Sequence, residues 1–202
     1  MKAIVLTCGL ALCVLATASA QENSGVALNI GAGFTTPLGN TGRNLDYGWH
    51  VQGGIGYNFN PWVGALVDLG YNRMGVNSTT LGNLGYAGGD LSVFSATLDP
   101  IVHLNPHGHF DVYVTGGGGL YHQYQDFTQP AFISSPYNPF FGFYGNAVVS
   151  SYSVNKPGID AGVGVEMGTR WHGKFFAEAR YNRIFTGAYH TDYLPVTFGF
   201  RW

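Results

Sequence analysis

Eight stretches of this chain place an apolar residue at every second position, a period that commits each to a strand with one apolar face. The last is the cleanest. Leu194, Val196, Phe198, Phe200 and Trp202 fall on one side, and Pro195, Thr197, Gly199 and Arg201 on the other. The other seven span residues 26–34, 49–59, 62–72, 91–104, 110–122, 159–169 and 175–183. The stretch 91–104 is the weakest, because Pro100 cannot donate to a ladder and predicts a bulge. A soluble domain rarely ends on its most apolar strand. A barrel in lipid can, because its last strand closes against its first and leaves no edge.

Composition decides which solvent the apolar faces meet. Charged residues make up 10% of the chain, against about 25% in an average soluble domain. The second face of each strand carries mostly glycine, serine, threonine and asparagine with a few acids. A soluble barrel of lipocalin type would need many charges on its outer wall. No segment after the leader approaches the roughly 20 apolar residues of a membrane helix, whereas a transmembrane β-barrel needs an apolar residue only at alternate positions. The expected fold is therefore all-β, an eight-stranded antiparallel transmembrane β-barrel. A net charge of −2 offers no basic patch for nucleic acid.

The first residues have the form of a cleavable export signal. Lys2 supplies the positive start, residues 4–15 the apolar stretch, and Ala18-Ser19-Ala20 the cleavage site before Gln21. The domain division expected is a signal peptide over 1–20 and a barrel over 21–202. Cys8 and Cys13 both lie in the leader, after Thr7 and Leu12 rather than the small residue a lipid-modified cysteine needs. The mature chain would then have no cysteine, which excludes disulfides, thiol catalysis and thiolate–metal sites.

Connections between the strands alternate in length. Long ones run over residues 35–48, 73–90, 123–158 and 184–193, and short ones over 60–61, 105–109 and 171–174. Brief turns on one side and extended loops on the other form the outer-membrane pattern, with both termini on the periplasmic side. With the leader, the eight strands, the segment Phe176-Ala177-Glu178-Ala179-Arg180-Tyr181 and the aromatic terminus, the chain resembles the small eight-stranded outer-membrane barrels of Gram-negative bacteria, the OmpA/OmpX-type group. The resemblance implies residence in the bacterial outer membrane, with its lipids as partners. It also implies that Trp202, Phe200 and Phe198 act as the signal read by the barrel-insertion machinery.

A barrel of eight strands is just wide enough to be filled by its own side chains, so inward charges should pair. Glu166, Glu178, Arg180 and Arg201 fall on inward positions. Opposite charges facing each other across strands are favourable and like charges are not, so Glu166 is expected beside Arg180, with Glu178 and Arg201 in the same network. Asp68, Asp99, Asp111 and Asp160 also point inward, leaving acids in excess. A plug of salt bridges and hydrated acids is favoured over a cation-preferring path. Glu166 with Glu178 is the one carboxylate pair that could do acid–base work, and no nucleophile or oxyanion donor converges on it. His103, His107 and His109 have ligand-like spacing on a periplasmic turn, where solvated histidines are expected. Residues 189–192 hold a histidine at the outer rim, yet do not reproduce the histidine–serine–asparagine set of lipid-A deacylases. No catalytic, cofactor or metal site is assigned.

The third long connection is the unusual segment. It carries Phe132, Tyr137, Phe140, Phe141 and Phe143 among Pro130, Pro136 and Pro139. Connections of that length are functional or disordered, so these aromatics are the candidate surface-interaction residues. Packing on one another is the plainer alternative. Tyr47, Trp49, Tyr57, Phe59, Trp62, Tyr71, Trp171, Phe175 and Trp202 read as interface girdles. The leading expectation is a non-enzymatic, monomeric outer-membrane barrel supporting envelope integrity or surface interaction through its loops. A narrow passive channel for ions or small hydrophobic solutes is the alternative, and a lipid-A-modifying enzyme a distant third.

Overall fold

The computed structural model describes residues 25–135, 138–169, 173–187 and 189–202, with the side chains of 133–143 left out. The leader, Tyr137 and Trp171 lie outside the described residues. Eight antiparallel strands follow one another around a closed ring: β1 (Gly25–Pro37), β2 (Leu45–Asn58), β3 (Val63–Val76), β4 (Gly88–His103), β5 (Phe110–Ser135), β6 (Asn138–Gly168), β7 (Lys174–Phe185) and β8 (His190–Arg201). β8 closes on β1 from Asn29↔Arg201 to Pro37↔Tyr193. Trp202 and Leu28 then exchange backbone hydrogen bonds of 2.9 and 2.8 Å, which completes the ring.

The two-residue period sorts side chains as the sequence implies. Ile30, Phe34, Val51, Ile55, Val67, Leu69, Leu98, Val114, Ile159, Val163 and Phe198 are exposed on the outer wall. Their inward neighbours are glycines and polar groups, many of them fully enclosed. Leu28, expected outside, is instead buried where Trp202 closes over β1. Girdle aromatics meet in pairs at both rims: Trp49 with Tyr71 at 5.2 Å on the long-loop side, and Phe175 with Phe200 at 5.2 Å on the other.

Pro100 produces no bulge. The β4–β5 ladder skips Asp99 and Pro100 and resumes at Ile101↔Thr115 in the register it had at Leu98↔Gly118. The missing N–H removes a rung, while the Pro100 carbonyl still accepts from Thr115 Oγ1 at 3.0 Å.

The long connections are shorter than expected, because the strands continue into them. The first contains a single 3-10 turn, Thr41–Arg43. The second contains the helix α1 (Ser78–Leu84), capped by the Asn77 side chain and stopped at Gly85 with φ +74°. The third is mostly strand. β5 leaves β4 beyond Thr128 and β6 joins β7 only at Gly158, so between those points the two strands pair with each other alone.

Packing inside the ring is layered. The apolar core lies at the outer mouth, where Leu45, Met74, Val76, Leu91, Val93, Tyr121, Ile184 and Tyr193 fill the lumen, with Leu81 of α1 and Phe127 over them. Below it the interior is mostly polar, with Leu66, Ile101, Tyr113 and Phe176 buried toward the periplasmic rim.

Candidate functional site

Arg180 on β7 is the hub of the polar interior. Its Nη1 lies 2.6 Å from Asp99 Oδ2 and 3.8 Å from Asp160 Oδ1. Its Nη2 lies 3.2 Å from Asp68 Oδ2, and its Nε donates to Glu178 Oε1 at 2.8 Å. One guanidinium thus bridges carboxylates from β3, β4, β6 and its own strand, all of them buried. An ion cluster of this kind is costly to break from one side, because the charges left behind have no water to turn to. The glycine run of β5 makes room for it: a Cβ on Gly117 would meet Asp99 Oδ1. Beside Arg180 is a cavity of about 20 Å³, lined in part by His50, Gln52, Asp68 and Asn72, roughly the room one water needs.

A second cluster lies toward the periplasm. Glu166 on β6 binds Arg201 through Oε1, and Lys174 Nζ stands 3.0 Å from its Oε2. The Arg201 guanidinium lies 4.9 Å above the Tyr113 ring and 5.2 Å from Phe176. Tyr113 donates to Glu178 Oε2 at 2.8 Å, so it joins the two clusters. Gly164, opposite Tyr113, is what admits that ring: an added Cβ would overlap it.

The expected pairing of Glu166 with Arg180 does not occur. Across β6–β7, Glu166 faces Phe176, while Glu178 faces Gly164 and Arg180 faces Gly162. Glu178 and Arg180 thus each lie over a glycine, with no charged partner facing them across β6–β7. Glu178 joins the Arg180 cluster and Arg201 holds Glu166.

His103 is a second correction. It is buried inside the rim, with Nδ1 2.6 Å from Asp111 Oδ2 and its ring against Tyr113. The stretch 91–104 already includes His103; its inward position at the end of β4, beside Asp111, outweighs its nearness to the turn. At the outer rim, Asp192 is clamped by Arg183 at 2.9 and 3.2 Å, and its N–H donates to Thr41 Oγ1. Asp192 is thus engaged by Arg183, and the His190 ring lies against Phe185.

Two features escaped the sequence reading. Lys174, within the short connection 171–174, pairs with Arg201 and Gly168 at the start of β7. The apolar layer was missed as well, though its signal is present. Inward positions of β3 and β4 turn apolar at their outer ends, at Met74, Val76, Leu91 and Val93.

Beyond the rim stands the β5–β6 hairpin. From Leu120↔Pro157 to Ser135↔Asn138 its strands pair with one bulge at Phe127/Thr128 and another before the tip. Phe132 is half-exposed and meets Tyr144 edge-on at 5.4 Å. Phe140, Phe141 and Phe143 belong to β6, but their side chains are outside the described residues. Tyr144, Val148, Val149 and Tyr152 are exposed. Phe198, Phe200 and Trp202 line the lipid-facing side of β8 and the rim beyond it, with Phe200 and Trp202 rings 5.6 Å apart.

Comparison with known proteins agrees with the ring. The family model described as outer membrane protein beta-barrel domain matches residues 4–201. The solved structure of Neisserial surface protein A is similar with a TM-score of 0.58 and 15% identity, over 90% of this chain and 98% of that one. A major outer membrane protein from Thermus thermophilus gives 0.54 and 12% (90% and 99% covered). OprG from Pseudomonas aeruginosa gives 0.52 and 16% (90% and 97% covered). No curated relative matches. A family match over nearly the whole chain, on a closed ring with an apolar outside, means that the protein belongs to the outer membrane β-barrel domain family and resides in the bacterial outer membrane.

Proposed function

We propose that this protein is a closed, non-enzymatic outer-membrane barrel that acts at the cell surface through its β5–β6 hairpin. The observation that carries the reading is the contrast between a filled lumen and a projecting hairpin. Two different layers fill the lumen: the Arg180 cluster and the apolar side chains above it. The free part of β6, residues 138–157, runs on the order of 60 Å along the strand. Between residues 123 and 158 the only charged groups are Asp126 and Lys156. A surface so poor in charge recognises partners by aromatic and backbone contacts rather than by attraction to a polyanion. Removing residues 125–152 tests this. The shortened protein should fold, because those residues pair only with each other apart from a few rungs to β4. Cell-surface binding and envelope sensitivity should change; if both stay as they were, the hairpin is not the working part.

A further inference from the structure

We propose that the periplasmic end of the lumen is a binding site for one divalent transition-metal ion, held by His103, Asp111 and Glu166. These three come from β4, β5 and β6, and all are buried. One ligand atom from each lies within 4.8 Å of the other two. An imidazole with two carboxylates is a donor set that zinc accepts in sites keeping a fourth position for water. Bonds of that kind place donor atoms about 3.3 Å apart, so shifts of about an ångström suffice.

A second observation points to a cation. Glu166 Oε2 is buried and takes no hydrogen bond. Its neighbour is Lys174 Nζ, close at 3.0 Å but not aligned to donate. That lysine side chain is 41% exposed, so it can withdraw to the periplasm. Its ammonium stands beside the oxygen that a metal ion would take.

The second oxygens of the two carboxylates are already held from outside. Asp111 Oδ1 accepts the Asn105 N–H at 2.9 Å, and Glu166 Oε1 binds Arg201. The His103 ring lies against Tyr113. Outer partners that orient the ligands are a regular part of metal centres. Arg201 also keeps one positive charge near the site, which offsets part of the gain. Among the described residues this is the only such group of three. Access is from the periplasm, since the apolar layer blocks the outer mouth.

The test uses the mature protein folded in detergent and titrated with Co2+ and Zn2+. Co2+ should bind one per chain with visible absorption of a four- or five-coordinate ion, and Zn2+ should displace it and raise the unfolding temperature. His103→Asn and Glu166→Gln should each weaken binding by at least about tenfold. His107→Ala and His109→Ala should leave it unchanged. Lys174→Met, which removes the competing ammonium, should tighten it and serves if the other variants fail to fold. Absence of Co2+ absorption, binding that survives His103→Asn but not His107→Ala or His109→Ala, or a Lys174→Met protein that binds no better, would each overturn the site.

Discussion

Gly164 shows how a residue without a side chain can decide the interior. The Tyr113 ring occupies the space a Cβ would take, and from there its hydroxyl reaches Glu178. Replacing Gly164 with valine should cost about 1–3 kcal/mol by overpacking, and denaturant unfolding of the detergent-folded protein would measure it. A fall of less than the error would mean that Tyr113 has another resting place. At the outer mouth the Arg183 guanidinium, hydrogen-bonded to Asp192, holds that carboxyl below the usual carboxylate range. A lowered folded-state value means that the clasp is present above the ordinary carboxylate value of about 4 and is lost as pH falls through the folded one. Both partners are at the surface, so the effect is small and shrinks with salt. NMR titration of Asp192 checks the direction, and Arg183→Met should return it to the ordinary range.

At the scale of elements, the sequence was legible wherever one face of a strand meets lipid and the other meets the lumen. All eight strands lie where alternation placed them, and their cores match to within a few residues. The signal disappears in the β5–β6 hairpin because Ser150, Ser151, Tyr152 and Ser153 are all exposed, so neither face is obliged to be apolar. Ladder pairing alone holds such a ribbon, and prolines at 130, 136 and 139 make it look like loop. Pairing across strands was less legible still. Inward positions of Glu166, Glu178 and Arg180 follow from the two-residue period, but their partners depend on register. Reach across a narrow lumen then outweighs adjacency, as Arg180 with Asp68 and Asp99 illustrates.

Taken as a whole, the molecule has at least two unlike obstacles in series along its axis. Removing only one should not open it. In planar bilayers, the wild-type protein and Arg180→Leu alone should give no discrete current steps. Steps should appear only when Arg180→Leu is combined with Tyr121→Ala and Tyr193→Ala, which thin the apolar layer. Steps from the unaltered protein would contradict the closed-barrel proposal. The bonds between Leu28 and Trp202 carry a consequence for how the molecule comes into being. Each other seam joins strands that are adjacent in the chain, but this one joins the two that are farthest apart. Without the eighth strand, the other seven would make an open ribbon with two unpaired margins. Closure of that seam therefore has to bring together the two ends of the barrel, the contact of longest sequence separation and the slowest kind to form.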